Sequence, residues 1–111
     1  MSAYLVCMVR VDDPETYRKY TAETPAIIAK HGGRFLVRGG AIEAIEGEPF
    51  SDRLVVLEFP SREHVQRFYE SPEYQTVAKW RWASSESRFL LAPGTERVEA
   101  PDDRVVTSGG Q

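Results

Sequence analysis

The stretch HGGRFLVRGG, from His31 to Gly40, places a pair of glycines on each side of a short run with the composition of a strand. Gly32 marks the end of a helix, because the residue just past a helix end often takes a left-handed backbone that glycine adopts easily. The run Arg34–Arg38 is typical of a strand, and the pair Gly39-Gly40 fits a bulge or a bend. The stretch therefore predicts a helix, a strand and a bend.

Upstream of this stretch, the sequence predicts one strand and one helix. The apolar run Ala3–Val11 has the pattern of a strand. Asp13 can cap a helix that begins with Pro14, and Pro25 is expected to kink the middle of that helix. Apolar and tyrosine side chains then recur at helical spacing, at Tyr17, Tyr20, Thr24, Ile27 and Ile28.

Downstream, the second strand is expected to continue through Ile42 and Ile45 to a hairpin tip at Gly47 and Pro49. The next strand is Arg53–Phe59, which carries apolar side chains on both of its faces. A helix in two pieces follows, with Ser61 and Ser71 as caps, and Arg88–Ala92 predicts the last strand.

The predicted order is β-α-β-β-α-β, which is typical of the ferredoxin-like α+β fold. In that fold a four-stranded antiparallel sheet has the spatial order 4-1-3-2 and carries both helical segments on one face. We expect residues 1–94 to form this domain. Residues 95–111 are polar and rich in proline, glycine and aspartate, and they predict a tail or an arm.

Alternate side chains of a strand point to opposite faces of the sheet. One of the two predicted sets is nearly all apolar and is expected to pack beneath the helices. The opposite set, called the helix-free face below, is apolar only at its centre. A monomer would expose this apolar centre to water, and such patches usually mark an interface or a ligand surface. We therefore expect a homodimer in which two helix-free faces meet. The central residues are Val6, Met8, Leu36, Val56 and Leu90.

Charged residues occupy the two ends of the helix-free face. An unbroken antiparallel register places Arg10, Arg38 and Arg88 toward one end, with Arg38 opposite Leu54. Three convergent guanidinium groups can bind a carboxylate or another anion, although a solvated rim is the simpler interpretation. At the other end Arg34 and Glu58 are expected to form a cross-strand ion pair.

Composition limits the function classes. The 111 residues fit a single domain, and 14 Lys+Arg against 17 Asp+Glu give a net charge of −3 without a basic block, so nucleic-acid binding has little support. Cys7 is the only cysteine, which excludes an internal disulfide and a cysteine-rich zinc site. The sequence shows no signal-peptide pattern and no stretch long enough to span a membrane, so we expect a cytoplasmic protein.

Several motifs together resemble the domain of unknown function 1330 family. They are HGGRFLVRGG, IEG, VVLEFPSREHV and FYESPEYQTVAKWR, and the resemblance covers about residues 3–94. It implies a ferredoxin-like domain paired into a dimeric α+β barrel. The wider superfamily includes cofactor-independent monooxygenases, haem-processing proteins, small isomerases and dehalogenases, whereas this family implies no particular reaction.

The expected ligand site lies between the helices and the sheet. His31 is the candidate catalytic residue, a general base, although it can instead bond the last carbonyls of its helix. The candidate ligand-binding residues are Arg38, Tyr20, Tyr74 and Arg81, although tyrosines at helical spacing are more often core or interface residues. Arg81 stands on an apolar stripe and needs a partner, which can be Glu58, Glu46 or a ligand anion. The two histidines lie far apart in sequence, so we expect no metal, and no other cofactor is expected.

Three functions remain open on the sequence alone. The first is a homodimeric barrel that binds a small anionic or aromatic organic molecule. The second is a cofactor-independent enzyme of the monooxygenase or isomerase type, in which His31, Arg38 and tyrosine hydroxyls stabilise an enolate-like intermediate. The third is a non-catalytic dimerisation module.

Overall fold

The structure is a computed structural model and describes residues 1–95. The predicted tail therefore lies, apart from Thr95, outside the described residues. The elements, in chain order, are β1 Ala3–Val11, α1 Pro14–Lys30, β2 Arg34–Arg38, β3 Arg53–Phe59, α2 Arg62–Glu70, α3 Pro72–Ser84 and β4 Ser85–Pro93.

The sheet has four antiparallel strands in the order β2-β3-β1-β4. This is the predicted ferredoxin-like α+β arrangement, and the predicted bounds of β1 and β3 are confirmed. The fourth strand is longer than predicted, because Ser85, Glu86 and Ser87 also pair with β1.

The helix ends follow the capping residues that the sequence indicates. The Asp13 side chain accepts a hydrogen bond from the Thr16 N–H, and the helix runs through Pro25 to Lys30. Gly32 then adopts a φ of 84°, as the predicted stop requires. Ser71 serves two helices, because its hydroxyl donates to the Phe68 carbonyl at the end of α2 and accepts from the Tyr74 N–H at the start of α3.

The register of β2 against β3 was predicted correctly at one end only. Arg34 pairs with Glu58, and Arg34 Nε donates to Glu58 Oε1 over 2.7 Å. The ladder is then interrupted between Phe35 and Val37, so Arg38 pairs with Val55 instead of Leu54. An extra residue in one strand shifts the alternation of every residue beyond it. The prediction of an unbroken register was therefore wrong.

The expected continuation of β2 was also wrong. Residues 39–52 form irregular structure, and Ile45, predicted to lie in the strand, is 93% exposed. Gly39 and Gly40 have φ values of 71° and 91°, which turn the chain out of the extended conformation. Their effect is to end β2 rather than to bend it.

The core lies between the helices and one face of the sheet. Phe59, Phe68, Tyr74 and Val9 are among its most buried side chains. On the opposite, helix-free face of the single chain, Val6, Met8 and Val56 are half-buried, whereas Leu36 is 45% and Leu90 43% exposed. In the described part of the chain, no helix combines the length and apolar character needed to cross a membrane.

Candidate functional site

A cavity opens between α1 and the helix-covered face of the sheet. The space available to the centre of a water molecule is about 40 Å³. Several core side chains form its walls, with polar and cationic groups among them. The lining residues are Cys7, Val9, Tyr17, Tyr20, Thr21, Thr24, Ile28, Phe35, Arg38, Arg53, Val55, Leu57, Phe68 and Phe89.

The pleat of the sheet explains the apolar floor of this cavity. Cys7 and Val9 on β1 alternate with residues that face the other way, as do Val55 and Leu57 on β3. Burial raises the pKa of the Cys7 thiol to about 12. Cys7 therefore remains a neutral thiol at physiological pH, as expected for a structural rather than a nucleophilic cysteine.

Two arginines supply the positive charge of the cavity lining. The Arg38 guanidinium carbon lies 4.4 Å from the centroid of the Phe35 ring, and Arg53 enters from the first residue of β3. Neither arginine has a carboxylate within 4.0 Å among residues 1–95. No aspartate or glutamate from that range lines the cavity. The lining is therefore cationic.

The bulge in β2 explains why Arg38 lies in the cavity. The sequence predicted Arg38 on the helix-free face beside Arg10 and Arg88, and this convergence was wrong. Arg10 instead bonds Asp12 and Glu86, at 3.0 and 2.7 Å, and faces a separate recess with Arg88. Of the three, Arg38 alone lines the cavity described here.

Two predicted ligand-binding tyrosines meet at one wall of the cavity. Tyr20 lines the cavity, and its hydroxyl lies 2.7 Å from the hydroxyl of Tyr74, which is placed behind it. Burial is the largest cause of the raised pKa of both tyrosines. Both hydroxyls therefore keep their protons, and one donates its hydrogen bond to the other.

Arg81 lies behind the same wall, without the carboxylate that the sequence suggested. It is 4% exposed, and its guanidinium carbon lies 4.0 Å from the Phe89 ring centroid and 5.8 Å from that of Tyr20. Arg81 Nη1 donates to Ser87 Oγ over 2.5 Å, whereas Nε has no hydrogen-bond partner among residues 1–95. Aromatic faces and a hydroxyl thus stabilise this charge.

The two carboxylates proposed as partners of Arg81 are engaged or placed elsewhere. Glu58 accepts hydrogen bonds from Arg34 and from the Tyr4 hydroxyl, on the helix-free face. Glu46 is exposed in the irregular segment after β2. Neither of these two options for the partner of Arg81 is therefore realised, because Glu58 is engaged on the helix-free face and Glu46 is exposed.

His31 does not line the cavity. Its Nδ1 lies 3.0 Å from the Ile27 carbonyl oxygen, its Nε2 lies 4.0 Å from Glu73 Oε1, and its ring packs edge-on against Phe68. A carbonyl only accepts, so Nδ1 carries the proton and donates it, which leaves Nε2 as the basic nitrogen of the neutral ring. His31 thus lies outside the cavity that Arg38 and Tyr20 line.

Sequence reasoning missed Arg53 in the lining, and it did not select Tyr17, Thr21 or Thr24 as ligand-binding candidates. Arg53 precedes Val55 and Leu57 by even intervals, so the strand alternation already placed it on the helix-covered face. Tyr17 lies one turn before Tyr20, and their rings are 5.4 Å apart. Within residues 1–95 there is no group of three or more histidine, cysteine, aspartate or glutamate side chains suited to a metal ion.

Comparison with known families and structures identifies the family of this chain and supports its fold. The family model described as domain of unknown function (DUF1330) matches residues 2–95. The chain belongs to the DUF1330 family. No curated protein matches it.

Solved structures share the fold of this DUF1330 chain. The RPA0582 protein of unknown function from Rhodopseudomonas palustris has a TM-score of 0.71 at 19% identity, over 86% of this chain and 84% of that one. SnoaB, described as a cofactor-independent oxygenase from Streptomyces nogalater, has a TM-score of 0.59 at 20% identity, over 89% and 98%. A dimeric ferredoxin-like protein of unknown function from Thermobifida fusca has a TM-score of 0.51 at 12% identity, over 82% and 89%.

Proposed function

We propose that this DUF1330 chain forms a homodimeric α+β barrel that binds a small organic anion in the cavity between α1 and the sheet. The observation that carries the proposal is the charge of the lining. Arg38 and Arg53 line the cavity, Arg81 lies behind Tyr20, and no carboxylate from residues 1–95 faces them there.

An anion is the ligand that this arrangement favours. A guanidinium removed from water loses solvation, and a carboxylate or another oxyanion restores it through charge-assisted hydrogen bonds. The Tyr20 hydroxyl and the neighbouring threonines, Thr21 and Thr24, add neutral polar groups to the same lining. Apolar side chains on the floor suit a short hydrocarbon portion, so the complementary ligand is an organic acid rather than an inorganic ion.

The volume of the cavity separates small from large ligands. Its 40 Å³ exceeds the roughly 10–15 Å³ that one water requires, but it is well below the ~150 Å³ of an engineered cavity that binds benzene. A short-chain carboxylate therefore fits with little movement. An aromatic ligand, the other class that the sequence suggested, requires the walls around Phe35 and Phe89 to open.

The homodimer is proposed from the helix-free face. Leu36 and Leu90 are 45% and 43% exposed in the single chain, and they flank the half-buried Val6 and Val56. Contact between two such faces would remove this apolar surface from water. The Thermobifida fusca protein with the same fold is described as dimeric, which supports this assembly.

Binding is tested by titrating the isotopically labelled protein with propionate at pH 7 and recording amide shifts. Propionamide, which has nearly the same shape without the charge, is the matched control. We expect propionate to shift the amides of cavity residues, and propionamide to do so at least about tenfold more weakly, as expected when a charge-assisted contact is lost. Equal binding of the two probes, or shifts confined to residues outside the cavity, would contradict the proposal. The absence of any binding would favour the third function, a dimerisation module.

Cofactor-independent enzymatic chemistry is the second candidate, and the paired tyrosine hydroxyls favour it. Tyr20 can donate to a developing enolate oxygen while Tyr74 and the nearby Arg81 support that charge from behind. SnoaB is described as a cofactor-independent oxygenase. The test is oxygen consumption with enolisable acids, in the wild type and in Tyr20→Phe. The base role of His31 stays a prediction, and His31→Ala tests it in the same assay.

A further inference from the structure

We infer that Arg53 contacts the anionic group of the ligand and sets the preference for a carboxylate over a neutral amide. Gly39 allows this position, because its lack of a side chain leaves the space that the Arg53 guanidinium occupies. This inference rests on the proposed function. It deepens that function by assigning its charge selectivity to one residue that the sequence analysis did not single out.

Arg53 differs from the other two arginines in its surroundings. It lines the cavity, it is half-buried, and its Nε has no hydrogen-bond partner among residues 1–95. Arg38 is more exposed and lies over the Phe35 ring, so water screens its charge. Arg81 already bonds Ser87 and does not line the cavity. A ligand anion therefore gains most from Arg53.

The position of Arg53 depends on Gly39, across the strand pair. The Gly39 N–H donates to the Leu54 carbonyl over 2.8 Å, which fixes the glycine beside the start of β3. A Cβ atom at Gly39 would lie 2.7 Å from Arg53 Nη1 and 3.3 Å from Cζ. The end of an arginine side chain moves more easily than a hydrogen-bonded backbone. A methyl group at Gly39 would therefore displace the guanidinium.

Tyr17 complements Arg53 in the same lining. Burial is the largest cause of the raised pKa of Tyr17, and the Arg53 charge opposes that shift. The Tyr17 hydroxyl therefore stays protonated and is available as a donor. A carboxylate in the cavity meets a guanidinium and a phenol, which are donors without a competing acceptor charge.

Gly40 provides a matched control for Gly39. The two glycines have φ values of 71° and 91°, so an alanine at either position carries a similar left-handed strain. A Cβ atom at Gly40 would have no neighbour within 4 Å. The comparison of Gly39→Ala with Gly40→Ala thus separates displacement of Arg53 from backbone strain.

The experiment measures the propionate-to-propionamide affinity ratio for the full chain and for the variants R53Q, R53K, G39A and G40A. Amide spectra of each variant first establish that it is folded. We expect R53Q and G39A to lower the ratio by about tenfold or more, which is the loss of one charge-assisted contact. R53K should keep part of the ratio, and G40A should keep that of the wild type.

The outcomes distinguish this inference from the proposed function. If the wild type prefers propionate and folded R53Q keeps the same preference, the assignment to Arg53 is wrong while the cavity site stands. If G39A and G40A lower the ratio equally, the positioning role of Gly39 is wrong. If the wild type shows no preference, the proposed function itself fails and the inference fails with it. Should R53Q not fold, G39A against G40A decides the question.

Discussion

Gly33→Ala is expected to destabilise the chain through a single steric conflict. A Cβ atom at Gly33 would lie 2.6 and 2.7 Å from two carbons of the Phe59 ring and 2.9 Å from Ile28 Cγ2. Carbon atoms normally stay about 3.5–4.0 Å apart. Phe59 is 0% exposed, and its ring centroid lies 5.3 Å from that of Phe68, so the ring has little room to withdraw.

The magnitude follows from two opposing contributions. Overpacking of a filled core costs about 1–3 kcal/mol. Gly33 is not among the glycines with a positive φ, so alanine does not meet left-handed strain there. Alanine also lowers the entropy of the unfolded chain, which stabilises the folded state by about 0.4–1 kcal/mol. Because the new contacts would be as short as 2.6 Å, the overpacking cost is expected in the upper part of its range, about 2–3 kcal/mol, which leaves a net loss of about 1–2.5 kcal/mol in the free energy of unfolding.

Urea denaturation at one fixed protein concentration measures this loss, since an associating protein has a concentration-dependent midpoint. A double-mutant cycle with Phe59→Leu identifies the cause, because leucine lacks the two ring carbons that conflict with the new methyl group. Gly33→Ala should cost less in the Phe59→Leu background than in the wild type. Wild-type stability of Gly33→Ala, or strict additivity of the two substitutions, would show that no conflict with the Phe59 ring occurs.

Three further predictions concern the interface, a cap and an ion pair. Val56→Asp should convert the proposed homodimer to a monomer, because it would bury an unpaired carboxylate in the interface. Light scattering measures the change, with Val56→Ala as the control. An unchanged dimer would place Val56 outside the interface. Ser71→Ala should lower the free energy of unfolding by about 1–2 kcal/mol, because α3 loses its N-terminal cap. Urea denaturation measures this loss, with Ser51→Ala as a control at an exposed serine. Equal stability of the two variants would exclude the capping role. The hydrogen bond from Arg34 holds the pKa of Glu58 below its ordinary value. The ionised carboxylate therefore stabilises the fold fully when the pH is above the pKa of glutamate in the unfolded chain, about 4.3. This contribution is lost as the pH falls through the lower pKa of Glu58 in the folded state. Urea midpoints between pH 7 and pH 3 should therefore fall more steeply for the wild type than for Glu58→Gln, and parallel curves would contradict this.

The sequence predicted those parts of the fold that depend on local pattern. Alternation gave the strands and their two faces, and the caps Asp13, Ser61 and Ser71 located the helix starts. The Arg34–Glu58 pair followed from counting along two antiparallel strands. Each of these features depends on residues close in sequence or on an uninterrupted ladder.

The candidate site was harder to predict because it depends on an interruption and on long-range contacts. The irregularity between Phe35 and Val37 places Arg38 in the cavity instead of on the helix-free face. No residue in β2 is of a type that predicts this irregularity. The hydroxyl contact between Tyr20 and Tyr74 joins residues 54 positions apart, which spacing alone cannot reveal. Arg53, by contrast, follows the regular alternation of β3, which places it on the helix-covered face with Val55 and Leu57.

A crystal structure of the protein grown with propionate tests the cavity site most directly. We expect the carboxylate to lie in the cavity lined by Tyr17 and Tyr20, within hydrogen-bond distance of the Arg53 guanidinium. Propionate bound only outside this cavity, or a carboxylate turned away from every arginine of its lining, would contradict this expectation.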